Sequence, residues 1–149
     1  MLRRSDGSVF ASGQATYLDA LPGPGRRDAK IYVRIAVGVP DFVTTAMLDT
    51  GSTYSVLDAD VAEQFGAFEE TDAPSIEMGT RRGVLRGRLI RRPIWLLAET
   101  GESLEVEATF WVSPEWRQGH FLGYAGLLQR IRFGLDPQAN QVYFGLIEA

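Results

Sequence analysis

Period-two alternation of apolar and polar side chains recurs along this chain and limits its fold more than any other feature. Ile31, Val33, Ile35 and Val37 alternate with Tyr32, Arg34, Ala36 and Gly38. Successive side chains of an extended segment point to opposite faces, so such a stretch buries one face and wets the other. Val39-Pro40-Asp41 turns the chain, and residues 42–48 return as a second strand, apolar and β-branched, with Asp49 at its far end. Residues 9–17 read as an earlier strand. Residues 75–78 and 84–89 form a hairpin around Gly79-Thr80-Arg81-Arg82-Gly83. Residues 94–98 and 104–112 pair around Glu99-Thr100-Gly101-Glu102, and 131–135 pairs with 141–147 across Asp136-Pro137-Gln138-Ala139-Asn140. Leu21-Pro22-Gly23-Pro24-Gly25 breaks regular structure, and Arg26-Arg27-Asp28 extends that exposed loop. Helical signals are brief: Asp58 can cap a first turn that Gly66 ends, and a second short piece falls near Leu127. About nine short strands, two short helices and no βαβ rhythm predict an all-β barrel or sandwich-like domain.

At 149 residues the chain suits one domain, 1–149, with residues 1–28 expected to be a loosely ordered N-terminal part. The absence of cysteine excludes disulfides, thiolate metal sites and a cysteine nucleophile, and a single histidine cannot build a His-rich zinc site. No metal or cofactor is expected. No stretch approaches the roughly 18 apolar residues of a membrane span. The start, Met1-Leu2-Arg3-Arg4-Ser5-Asp6-Gly7, lacks a signal peptide's apolar run, so cytoplasmic residence without a membrane partner is expected. A net charge of -4 argues against a nucleic-acid partner. Six of the fifteen basic residues nonetheless lie between Arg81 and Arg92. They read as a solvated hairpin face, with substrate contacts or steering of an acidic partner as the alternative.

The chemistry-bearing segment is Leu48-Asp49-Thr50-Gly51-Ser52-Thr53-Tyr54-Ser55-Val56-Leu57. An apolar strand ends in a carboxylate, a hydroxyl, a glycine that permits a tight turn, and another hydroxyl. Such a string can also be a simple turn whose side chains satisfy local amides. About seventy residues later come Phe121-Leu122-Gly123-Tyr124-Ala125-Gly126-Leu127-Leu128 and then Ile131-Arg132-Phe133-Gly134-Leu135-Asp136.

These two segments together resemble the active-site loop and C-terminal apolar-Gly signature of the retropepsin-like aspartic peptidases, especially the bacterial stand-alone members. The resemblance spans residues 31–147, nearly the whole chain. It implies an acid-protease barrel with one or two short helices and a flap hairpin. It also implies that Asp49 is the catalytic aspartate, that Thr50 links two active-site loops across a dimer, that Gly51 lets the backbone face substrate, and that Ser52 hydrogen bonds the outer carboxylate oxygen. Met78, Gly79, Thr80, Arg81, Arg82 and Gly83 would close over a peptide or protein substrate, and Phe121, Leu122 and Gly123 would pack beneath the loop. Viral members often carry Asp four residues after the catalytic one, paired with Arg after the later glycine. Thr53 and Tyr124 stand there in this chain, so both halves of that pair are absent together. Many members also place an acidic or amide residue where Ala125 stands.

Only one Asp-Thr-Gly-Ser occurs, whereas general acid–base hydrolysis by carboxylates needs two. A C2 homodimer supplies the second from its own symmetry. The expected function is thus a homodimeric aspartic endopeptidase, with a catalytically inactive peptide-binding or scaffolding dimer of the same fold as the alternative. Residues 141–147 are the expected dimer-sheet strand. His120 reads as a surface or locally hydrogen-bonded side chain, Trp95, Trp111 and Trp116 as packing residues, and Asp58 and Asp60 as helix-start residues.

Overall fold

The alternating segment near residue 31 folds as a strand whose small and β-branched side chains are buried on both faces from Ile35 to Val37. Ile35, Ala36 and Val37 are wholly buried, while Arg34 points to water. The computed structural model describes residues 1–21 and 30–147. Its strands are β1 (Leu2–Arg3), β2 (Val9–Ala11), β3 (Gly13–Thr16), β4 (Tyr32–Val37), β5 (Val43–Leu48), β6 (Ser55–Val56), β7 (Ser75–Thr80), β8 (Gly83–Leu96), β9 (Leu104–Val112), β10 (Phe121–Leu122), β11 (Ile131–Asp136) and β12 (Gln141–Leu146). One α-helix, α1 (Ala59–Gln64), and two short 3-10 turns, Ala67–Glu69 and Leu128–Arg130, interrupt them. No described helix is long and apolar enough to cross a membrane.

The main sheet runs β4-β5-β10-β6-β9-β8-β7, and β4 also pairs with β8. That extra pairing closes the strands from β4 to β8 into a ring, removing two free edges, and leaves β7 hanging from β8 as the outer arm of a hairpin. A second sheet, β11-β12-β3, faces the first. Between them lies one core in which Ile35, Ile94, Phe110, Leu122 and Leu127 meet Ile131, Val142 and Phe144. A residual gap of about 20 Å³ is lined by Val33, Leu48, Leu122, Ile131 and Phe144 from both sheets.

Several expectations are corrected here. The segments read as separate strands at 84–89 and 94–98 are one 14-residue strand, β8, running through Pro93. Pro93 lacks an N–H, but it sits where β8 passes from its partner β7 to its partner β4, and its carbonyl accepts from Gly38. The second helix expected near Leu127 is only the 3-10 turn Leu128–Arg130. Within the 1–28 segment, residues 2–16 carry three strands, and β3 completes the second sheet. The Pro-Gly-rich loop at 22–28 lies outside the described residues. The segment expected at a dimer sheet, 141–147, pairs with β11 along β12 but with β3 only at residues 141–144, which leaves 145–147 without a second paired strand among the described residues. Only Leu146 and Ile147 at its end are exposed apolar residues.

Candidate active site

Asp49 is delivered by β5 and held by a strand from much later in the chain. β10 inserts between β5 and β6, pairing Phe121 with Met47 and Leu122 with Leu48 in parallel, and Phe121 with Val56 antiparallel. The backbone bonds continue into the loop. Met47 N–H donates to His120 O at 2.9 Å, and Asp49 N–H donates to Leu122 O at 3.0 Å. Beyond the turn, Tyr124 N–H donates to Ser52 O at 2.9 Å and Ala125 N–H to Thr53 O at 2.7 Å. Residues 47–53 thus lie strapped to residues 120–125 on both sides of the carboxylate.

Two side-chain features complete the strap. Ser55 is fully buried, and its Oγ accepts from Gly123 N–H at 2.9 Å. Gly123 itself admits no side chain: a Cβ there would lie 2.2 Å from Tyr54 O and 2.3 Å from its carbonyl carbon. In the sequence, Ser55 belongs to the stretch that resembles the active-site loop but has no assigned role; its buried hydroxyl acquires one from Gly123.

Within the loop, Gly51 N–H donates to Asp49 Oδ1 at 3.0 Å and Ser52 N–H donates to Asp49 O at 3.1 Å. The Asp49 side chain is half-buried, and no described residue donates to its other oxygen. Thr50 is exposed. The Ser52 hydroxyl, expected on the carboxylate, instead donates to Tyr54 O at 2.7 Å. A short hydroxyl arm two residues from a free carbonyl closes a local turn before it can reach across to Asp49. Gly51, rather than Ser52, is therefore the donor that fixes the carboxylate.

The β7–β8 hairpin stands beside this loop. Its tip is the two-residue turn Arg81-Arg82 between the paired Thr80 and Gly83. Thr80 Oγ1 accepts from Arg82 N–H at 3.1 Å and donates to Gly83 O at 2.8 Å, while Gly83 takes φ +97°. The inward face carries Ile76, Met78 and Leu85, which join Val56, Trp111, Trp116, Tyr54 and Phe121 in a second apolar cluster. Trp111 anchors the hairpin base by donating from Nε1 to Ile76 O at 3.0 Å. The hairpin and the Asp49 loop therefore share one patch, since Tyr54 follows the loop and Phe121 pairs beside it.

The arginine run divides by function. Arg88 Nη1 donates to Glu70 O at 2.9 Å, and Arg92 pairs with the Glu70 carboxylate at 2.7 Å while donating to Phe65 O at 3.0 Å. These two tie the segment after α1 to β8, a structural task that a solvated-face reading does not contain. Arg86 makes only an exposed pair with Glu77 at 3.4 Å.

Asp58 caps α1 by accepting from Asp60 N–H at 3.1 Å, and Gly66 follows in the left-handed conformation at φ +69°. Asp58 also accepts from Gly119 N–H at 3.1 Å, and its own N–H donates to His120 Nδ1 at 3.0 Å. His120 is thus locally hydrogen-bonded behind the loop. Burial holds its imidazole below its usual pKa of 6.5, with the Asp58 carboxylate opposing. Trp111 and Trp116 are buried, and Trp116 stacks edge-on to Phe121 at 5.5 Å.

No protein-family profile and no curated protein matches the sequence. The fold does have relatives among solved structures. The chain is similar to the crystal structure of a retropepsin-like aspartic protease from Rickettsia conorii, with a TM-score of 0.54 and 20% sequence identity over 91% of this chain and 94% of that one. The architecture is the all-β retropepsin-like fold, with a single short α-helix among the described residues.

Proposed function

We propose that this chain is an aspartic endopeptidase that works as a homodimer, with Asp49 and the partner subunit's Asp49 as its catalytic pair. The observation that carries this reading is the presentation of Asp49. Its backbone is strapped to β10, one carboxylate oxygen is fixed by Gly51 N–H, and the other is left without a described donor. The Gly51 bond alone fits a structural turn; the strap to β10 and the open second oxygen are what favour the catalytic reading. The exposed Thr50 hydroxyl is suited to bond its copy across a twofold axis.

Two carboxylates held a few ångströms apart resist double ionisation, so they share one proton. The ionised carboxylate takes a proton from a bound water while the protonated one gives its proton to the substrate carbonyl oxygen. The water oxygen adds to the carbonyl carbon, forming a neutral gem-diol. Return of a proton to the amide nitrogen and loss of one from a diol hydroxyl then break the C–N bond. Neither a covalent intermediate nor a cofactor takes part. Met78, Tyr54 and Phe121 supply an apolar wall beside the cut, favouring apolar or aromatic residues there. Met78 to Gly83 would close over the peptide. An acidic optimum and cytoplasmic residence belong to the same proposal.

The test is incubation with a diverse peptide pool from about pH 3 to 8, comparing the parent with Asp49→Asn, and sedimentation of both. Cleavage by a dimer, lost at least about a thousandfold in the variant, is expected. Cleavage that persists in Asp49→Asn removes Asp49 from the chemistry, and a dimer that binds but never cuts leaves the inactive peptide-binding module.

A further inference from the structure

Three of the six arginines between Arg81 and Arg92 are held by other groups, namely Arg86, Arg88 and Arg92. Arg91 stands exposed in mid-β8, opposite Thr109; Arg81 and Arg82 are placed differently. Both are exposed, neither has a partner among the described residues, and they occupy the two turn positions of the β7–β8 hairpin. Their backbone is not loose, because the Thr80 hydroxyl both accepts from Arg82 N–H and donates to Gly83 O. A tip of this kind presents two unspent positive charges from a defined turn.

The location gives those charges a use. Met78 packs in the cluster that contains Tyr54 and Phe121, next to the strand pair that carries Asp49. Arg81 lies three positions beyond Met78, about 10 Å of extended chain. The two arginines thus lie within a few residues of chain from that apolar wall, on the exposed end of the same hairpin. Val84, 68% exposed on the same tip, adds apolar surface beside them. We infer that Arg81 and Arg82 select peptides whose residues flanking the scissile bond are acidic. Guanidinium pairs carboxylate in a two-toothed fork, which confers geometry as well as charge. The inference rests on the peptidase reading for the site but requires only peptide binding there.

Matched extended peptides, each with a central Phe-Leu pair flanked by either glutamates or glutamines, separate the possibilities. Binding is read by fluorescence anisotropy on full-length Asp49→Asn, with and without Arg81→Gln and Arg82→Gln together. Cleavage is read on the parent. The glutamate peptide should bind about tenfold more tightly at low salt, with the preference shrinking as salt rises and vanishing in the double arginine variant. Circular dichroism and an unchanged midpoint of thermal unfolding guard against a folding defect. No glutamate preference, through equal binding or through none, overturns the inference, as does a preference that survives loss of both arginines. Glutamate-selective binding without cleavage by the parent upholds it while overturning the peptidase reading.

Discussion

The Asp49 loop and the β7–β8 hairpin lie against the same apolar patch but are secured in opposite ways. The loop is held by backbone: amides of residues 47, 49, 124 and 125 pair with carbonyls across the β5–β10 strap, and Gly123 is pressed against the Tyr54 carbonyl. Beyond the β8–β9 backbone pairing that starts at Arg88, the hairpin is held by side chains, through Trp111 Nε1 and the packing of Ile76, Met78 and Leu85, while its tip stands free. On the peptidase reading proposed above, the carboxylate gains from rigid support, whereas a cover must open and is drawn from less secured structure.

A glycine in each region gives the widest contrast. Gly123→Ala forces a methyl into backbone atoms that cannot yield, and should cost about 3 kcal/mol or more. Gly79→Ala meets nothing within 4 Å and should change stability by less than about 0.5 kcal/mol. Urea unfolding of both variants checks this, and equal costs would dissolve the distinction between strap and arm. Next in size, Trp111→Phe removes the indole donor to Ile76 and some buried volume, at about 2–3 kcal/mol. Amide exchange in β7 should then quicken well before that of Asp49 and Ala125; simultaneous quickening would mean that loop and hairpin open as one.

The smallest effect is the pH response of His120, whose neutral Nδ1 accepts from Asp58 N–H. Its pKa is lowered by folding, so the unfolded chain takes up the proton first. The stability it allows is complete above 6.5, is lost as pH falls from there through the lowered folded value, and levels off below it. His120→Gln should flatten that part of a stability–pH curve measured by thermal unfolding. An unchanged slope would show that other groups govern it.

Local patterns were legible in the sequence because local chemistry determines them. The alternation of Ile31 to Val37, the Asp58 and Gly66 ends of α1, and the Thr80-to-Gly83 turn each depend on neighbours a few residues away. Long-range relations were not legible. Nothing around Phe121 says that it must enter between β5 and β6, and Pro93 looks like a strand boundary until two successive partners are seen to flank it. At the site, the types and positions of Asp49, Gly51 and Gly123 could be read, but Ser52 turning to Tyr54 and Ser55 receiving Gly123 depend on angles that spacing does not carry. Arg88 and Arg92 show the same limit, since their shared acceptor Glu70 comes from a segment with no pattern of its own.

The insertion of β10 also sets an order of events. The loop around Asp49 spans few residues, yet its support comes from about seventy residues downstream, and β5 and β6 must leave a slot for it, parallel to β5 and antiparallel to β6. Contacts of such sequence separation form slowly, because the chain between them must first be gathered in. Asp49 is thus expected to gain its β10 support late in folding, so a partly folded chain would not yet hold the carboxylate as the native one does.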